Sequence, residues 1–189
     1  MSSILVVCTG NICRSPVREA VLRSQLSNEY TVSSAGTHAV VGAPAEPEVH
    51  DFLRREAGLE MHHTARQLTK ELAEDTDLIL TMTEEHRSWI ARTAPRAVRR
   101  VFTAVEFARI TEELPPRTAY TGLPELVSAA TRLRARVRNT GPALDIDDPY
   151  RRSPEQYQAS FNAAVTASRT ISESIKTRIT SPEAGDSNG

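Results

Sequence analysis

Two cysteines, an arginine, a serine and an asparagine crowd into one stretch, Cys8-Thr9-Gly10-Asn11-Ile12-Cys13-Arg14-Ser15-Pro16, directly after the apolar run Ile4-Leu5-Val6-Val7. That order reads as a strand, a tight turn and the start of a helix. Gly10 and Asn11 suit the turn, and asparagine tolerates a left-handed backbone. Ser15-Pro16 would supply an N-cap and a first helical position. A helix N-terminus offers unpaired N–H groups and the positive end of the macrodipole, so the loop is suited to an anion. Thr9, Gly10, Asn11, Ile12, Cys13, Arg14 and Ser15 would cradle a phosphate, with Arg14 clamping two of its oxygens. The same field favours the thiolate, the nucleophilic form, at Cys8, and the Ser15 hydroxyl can donate to that sulfur. A buried strand-end cysteine beside an ordinary cap explains each residue singly, but not Cys8, Gly10, Asn11, Arg14 and Ser15 together.

The whole string from Val7 to Pro16 resembles the active-site loop of the bacterial low-molecular-weight protein tyrosine phosphatases. The resemblance implies hydrolysis of phosphotyrosine through a phosphocysteine intermediate, with Cys8 as nucleophile, Arg14 as phosphate clamp, and neither metal nor cofactor. A phenolate whose conjugate acid titrates near ~10 departs poorly unprotonated, so such an enzyme needs a proton donor. Asp145-Ile146-Asp147-Asp148-Pro149-Tyr150 resembles the family's Asp-Pro-aromatic motif, which makes Asp148 the general acid and then the base toward water. Proline holds its predecessor extended, as a loop presenting one carboxylate requires. Asp147 is the rival, one residue away. Ser33-Ser34-Ala35-Gly36-Thr37 and His62-His63-Thr64-Ala65-Arg66-Gln67 resemble two further family segments, which implies that Asn11, Ser15, Ser34 and His63 brace the loop. The likeness covers about residues 1–110 and 143–178.

Ile12 and Tyr150 are the expected walls for a substrate ring, while the facing stretch His38-Ala39-Val40-Val41 lacks the aromatic residue many relatives carry. Phosphoarginine-specific relatives have threonine where this chain has Ile12, so phosphotyrosine is the expected substrate and phosphoarginine the alternative within the family. A phosphate-recognition module without turnover would keep the cradle; Cys8 and Asp148 together argue against it. Arsenate reductases of this fold relay a disulfide through further cysteines, and none follows Cys13. Cys13 is either a redox partner that traps oxidised Cys8 or a small buried residue. Arg151-Arg152, beside the expected mouth, would favour acidic sequence around the phosphorylated residue. The implied partner is a tyrosine-phosphorylated protein, such as a bacterial tyrosine kinase.

These residues need a frame to hold them. Short strands expected at about 3–7, 31–34, 77–82 and 98–102 alternate with helical stretches, which implies a single α/β domain over 1–180: a four-stranded parallel sheet with helices on both faces, Rossmann-like, and the site at the strands' carboxyl ends. Residues 104–142 form a longer segment than the family needs, and Leu126, Ala130, Leu133 and Val137 recur at helical spacing within it. Arg132, Arg134, Arg136 and Arg138 fall on more than one face there and read as solvated. Ser153-Pro154-Glu155-Gln156 opens a last helix as a capping box, and Ser181 to Gly189 reads as a disordered tail. Lys and Arg total 23 against 24 Asp and Glu in 189 residues, a balance that favours neither nucleic acid nor membrane as partner. No apolar run approaches the ~20 residues of a membrane span, no signal peptide is evident, and two cysteines without a disulfide pattern point to the cytoplasm. Oligomeric state leaves no mark on the sequence.

Overall fold

The computed structural model describes residues 1–116, 118–138 and 143–180; the expected tail at 181–189 lies outside the described residues. Four parallel strands, β1 (Ser2–Cys8), β2 (Tyr30–Gly36), β3 (Leu78–Thr81) and β4 (Val101–Thr103), form one sheet in the order β2-β1-β3-β4. The helices are α1 (Arg14–Gln25), α2 (Pro47–Ala57), α3 (Lys70–Glu74), α4 (Glu84–Thr93), α5 (Ala104–Glu113), α6 (Leu123–Arg138) and α7 (Pro154–Arg178). Ile4 to Val7 are wholly buried because β1 is central and covered on both faces, the condition under which a parallel strand is continuously apolar. Alternation splits them: Ile4, Val6 and Cys8 join the core under α5, α6 and α7, whereas Leu5 and Val7 pack with Ile79, Ile90 and Val101 on the side of α3 and α4. The chain leaves β1 toward β2 on one side and later returns to β3 on the other. The loop after β1 therefore opens at the topological switch point, where a ligand crevice is expected.

Three local expectations are corrected. Ser15 does not cap α1; the cap position is Cys13, without a side-chain hydrogen bond, and the Ser15 hydroxyl turns instead to Cys8 and Asn11. The fourth strand starts at Val101 rather than 98, because Pro95 opens a 3₁₀ turn over Pro95–Arg100, closed by the Ala97 N–H on the Ala94 carbonyl at 2.9 Å. Arg134 is not solvated. Its guanidinium lies 4.0 Å over the Phe102 ring, donates to the Val101 carbonyl at 2.5 Å and reaches Glu106 at 3.4 Å. Arg132 and Arg136 are exposed as expected.

The helical reading of the long segment is met by α5 and α6, with Leu126, Ala130 and Val137 buried and Leu133 half-buried. Besides Arg134, Thr131 on α6 donates to the Arg99 carbonyl at 2.8 Å. Helix α6 thus takes up two carbonyls at the start of the outer strand β4, those of Arg99 and Val101. Among the described residues no helix is long and apolar enough to cross a membrane.

Arg18 is the one large charged side chain in the interior with no hydrogen-bond partner on any of its three nitrogens among the described residues. Burial pushes its pKa down to about 9. An uncompensated buried cation costs several kcal/mol. Arg18→Met keeps the apolar stem and removes the charge, and is expected to stabilise the fold by about 1–4 kcal/mol. Thermal unfolding would show a midpoint several degrees higher; a lower midpoint would mean that the guanidinium is satisfied.

Candidate active site

The loop between β1 and α1 presents its carbonyls outward. The oxygens of Cys8, Thr9, Gly10 and Ile12 accept from the backbone N–H groups of Thr37, His38, Val40 and Glu46 at 2.9–3.0 Å, and the Asn11 oxygen takes His63 Nε2 at 2.6 Å. Since each peptide unit is planar and trans, turning the carbonyls to the surrounding layer turns the N–H groups the other way. They are thereby turned toward the cavity these residues line, the backbone arrangement that an anion-binding nest requires. This tight wrapping demands Gly36, which pairs with Cys8 in the sheet: a Cβ there would lie 2.4 Å from the Thr9 carbonyl oxygen.

Asn11 sets the turn. Its φ of 57° is left-handed, as its residue type suggested, and its side chain is fully buried. The Nδ2 group donates to Ser15 Oγ at 2.9 Å and Ser34 Oγ at 2.8 Å, while Oδ1 accepts the Arg66 N–H at 2.9 Å. The Ser34 hydroxyl donates to Glu19 Oε2 at 2.6 Å, and Arg66 Nε donates to the Ser34 carbonyl at 2.8 Å. Asn11, Ser15, Ser34 and His63 thus meet in one network, which Glu19 and Arg66 complete. Ser15 Oγ, already accepting from Asn11, lies 3.0 Å from Cys8 Sγ and has its proton left for the sulfur. That contact suits a thiolate.

Cys8, Thr9, Gly10, Ile12, Cys13, Arg14, His38, Val40, Asp148 and Tyr150 line a cavity of about 210 Å³. Arg14, although 3 % exposed, sends its guanidinium across to the far end of the chain, donating to the Ile146 carbonyl at 2.9 Å and to Asp148 Oδ2 at 2.5 Å. Ile146 is itself pinned to the sheet by its N–H on the Met82 carbonyl at 2.8 Å. Of the three neighbouring acids only Asp148 faces this cavity. Asp145 accepts the Glu84 N–H at the start of α4, and Asp147 lines a separate cleft with Arg152 and Ser160. Tyr150 and the half-exposed, aliphatic Val40 both line this cavity. Burial above all, then the negative charges of Cys8, Glu46 and Asp148, push the Cys13 thiol far up, so it is held protonated. Any attack by Cys13 on oxidised Cys8 must therefore begin with loss of that proton.

Sequence reasoning missed Glu19, buried on α1, and His86, 5 % exposed at the third position of α4. His86 Nε2 lies 2.9 Å from Thr9 Oγ1, and its Nδ1 faces the Thr83 N–H at 3.2 Å, closing a capping box in which histidine stands where glutamate or glutamine is usual. The Thr83-x-x-His86 spacing was the only signal. Burial, with help from Arg14 and His38 and against Asp148, pushes the His86 pKa down to about 4.

The sequence matches the model of the low molecular weight phosphotyrosine protein phosphatases over residues 3–115. It is 45% identical to the low molecular weight protein-tyrosine-phosphatase Etp of Escherichia coli strain K12 over 94 residues, half of this chain and 63% of that protein. The match to Etp thus leaves more than a third of that relative unspanned. Identity to the probable low molecular weight protein-tyrosine-phosphatase EpsP of Ralstonia nicotianae is 35% over 132 residues, 70% of this chain and 90% of that protein. The structure superposes on the YwlE arginine phosphatase from Geobacillus stearothermophilus with a TM-score of 0.72 at 28% identity, covering 94% of each chain.

Unfolded, His86 would protonate near ~6.5; folded, it stays neutral down to about 4. Between these values the unfolded chain binds the extra proton, so stability falls as pH drops from about 6.5 to 4, by about 3 kcal/mol in all from this group. Denaturant titrations across that window should show a shallower pH slope for His86→Asn than for the wild type; equal slopes would disprove the neutral assignment.

Proposed function

The chain belongs to the low-molecular-weight phosphotyrosine protein phosphatase family, and from that premise we propose that it hydrolyses phosphotyrosine on proteins through a phosphocysteine intermediate. The supporting observation is the convergence of Cys8 Sγ, the inward N–H groups, Arg14 and Asp148 on one cavity. Cys8 Sγ attacks phosphorus in line, while the nest and the Arg14 guanidinium hold the three equatorial oxygens where transition-state charge collects. An arriving phosphate dianion competes with Asp148 for Arg14. The released carboxyl, in its protonated form, gives its proton to the departing phenolate oxygen. The resulting carboxylate takes a proton from water, whose oxygen attacks phosphorus and expels the Cys8 thiolate toward the Ser15 hydroxyl. Ser34, His63, Asn11, Glu19 and Arg66 act by keeping the loop in this shape.

The aliphatic and aromatic walls of the cavity, Ile12, Val40 and Tyr150, suit the ring of phosphotyrosine. Phosphoarginine is the second reading, favoured by the likeness to YwlE over nearly the whole chain. A tyrosine-phosphorylated protein, such as a tyrosine kinase, is the proposed partner, and the cytoplasm the proposed location. Metal-free hydrolysis of para-nitrophenyl phosphate, a phosphotyrosine peptide and a phosphoarginine peptide tests the proposal. Cys8→Ser should abolish turnover, and Asp148→Ala should lower kcat by about 10²–10⁴-fold on the tyrosine ester, less on para-nitrophenyl phosphate. Turnover by Cys8→Ser would overturn the mechanism; faster wild-type turnover of phosphoarginine would select the second reading.

The two arginines after Tyr150 part company. Arg151, at a left-handed φ of 58°, lies 5.1 Å over the Tyr150 ring at the mouth, whereas Arg152 lines the cleft with Asp145 and Asp147. A strained non-glycine backbone beside a site points to a task for its side chain. Arg151→Gly should relieve the strain yet reduce kcat/KM about three- to tenfold on a peptide with acidic residues flanking phosphotyrosine, and little on a neutral one. An equal loss on both peptides would reduce Arg151 to a support for Tyr150.

A further inference from the structure

Thr9 follows the nucleophile directly, is exposed, and borders the cavity beside Arg14 and Asp148. Its carbonyl is already taken by the His38 N–H at 3.0 Å, which leaves the hydroxyl to account for. Thr9 Oγ1 lies 2.9 Å from His86 Nε2, so the direction of that hydrogen bond decides what the hydroxyl can do. The other ring nitrogen decides the direction. Nδ1 faces the Thr83 backbone N–H at 3.2 Å, a group that can only donate, and the Thr83 hydroxyl at 2.8 Å; Thr83 Oγ1 in turn accepts the His86 N–H at 3.3 Å. Nδ1 therefore carries the lone pair, and in the neutral ring the proton is on Nε2. The ring, 5 % exposed and near Arg14 and His38 with only Asp148 opposing, keeps that neutral form. Nε2–H donates, Thr9 Oγ1 accepts, and the one proton of the Thr9 hydroxyl is free for a second acceptor.

We propose that Thr9 donates its hydroxyl proton to a non-bridging oxygen of the bound phosphoryl group, and that His86 is the positioning residue that sets Thr9 as a donor. The inference rests on the reading of the cavity as a phosphate site. It gives the loop a side-chain donor besides Arg14, placed on the residue next to the nucleophile. His86 does this from α4, so the end of β3 and the loop after β1 are joined at the site by a directed chain: Thr83 N–H to Nδ1, Nε2–H to Thr9, Thr9 O–H to the anion.

Binding of inorganic phosphate to the full chain, measured by calorimetry near neutral pH, tests it with wild type, Thr9→Val, Thr9→Ser, His86→Asn and the Thr9→Val/His86→Asn double variant. A hydrogen bond to a charged group is worth about tenfold or more in affinity, so Thr9→Val should weaken phosphate binding by about tenfold while Thr9→Ser restores it. His86→Asn, too short to reach Thr9, should reproduce most of the loss, and the double variant should bind no more weakly than Thr9→Val alone. Losses that multiply in the double variant would overturn the coupling, as would a Thr9→Val affinity within twofold of wild type. Should His86→Asn unfold, the Thr9→Val and Thr9→Ser pair still decides whether the hydroxyl donates. A wild type that binds no phosphate would bring down the cavity reading itself, a result distinct from a Thr9→Val protein that binds as well as wild type.

Discussion

The outward pull on five successive carbonyls, from Cys8 to Ile12, is the interaction on which the rest depends. A backbone loop has no intrinsic reason to aim all its N–H groups at one point; left alone it would pair them locally or with water. Here every carbonyl is claimed from outside, by four N–H groups between Thr37 and Glu46 and by His63. That layer fixes what may surround it. Gly36 must lack a side chain because the Thr9 carbonyl occupies its space, and Asn11 must accept a left-handed backbone so that the turn closes. The buried polar network around Asn11 then has a definite task. Each member satisfies another, so the loop's shape is fixed by its own protein partners; under the proposed function, such fixed dipoles would require little rearrangement when an anion arrives.

A second constraint joins the two ends of the chain. Arg14 stands at the start of α1 and Asp148 follows it by 134 positions, yet the guanidinium holds both the Ile146 carbonyl and the Asp148 carboxylate. The loop carrying Asp148 reaches this place because Ile146 is buried and hydrogen-bonded to Met82 just after β3, and Asp145 is tied to the first turn of α4. Before it, α6 packs against α5 in the core under the sheet. Through Thr131 and Arg134, α6 is tied to the Arg99 and Val101 carbonyls at the outer strand.

What could be read from the sequence was short-range or repeated. Cys8, Arg14 and Ser15 sit within one short loop and helix start, and continuously apolar strands alternating with helical stretches announce a buried parallel sheet. The acidic motif was legible, but which of its three acids borders the cavity needed the loop's path, since acids so close together differ only in where the backbone aims them. Arg134 was misread because residue type says charged and spacing says exposed, while the decisive partners, Phe102 and Glu106, lie about thirty positions upstream in another element. Ser15 was misread as a cap because a serine before proline fits that role locally; the sulfur and Asn11 compete for its hydroxyl and win. Glu19 and His86 were invisible for a similar reason. A lone acid on a helix face and a histidine near a helix start have common bland explanations, and only three-dimensional proximity distinguishes them.

The same principle that makes the network work also sets its vulnerability. A fully satisfied buried polar cluster orders its members uniquely, whereas one missing partner leaves a desolvated group whose cost approaches that of the bond itself. Asn11 makes two donations and one acceptance inside the core, so each of its contacts constrains the other two. Cys13 marks the contrast: buried in the same loop, it has no part in the network and is held as a neutral thiol by burial and by the negative charges around it. Two cysteines five residues apart thus meet different partners. Cys8 meets the Ser15 hydroxyl, whereas Cys13 packs with Val17, Val49 and Phe161, although both border the same cavity.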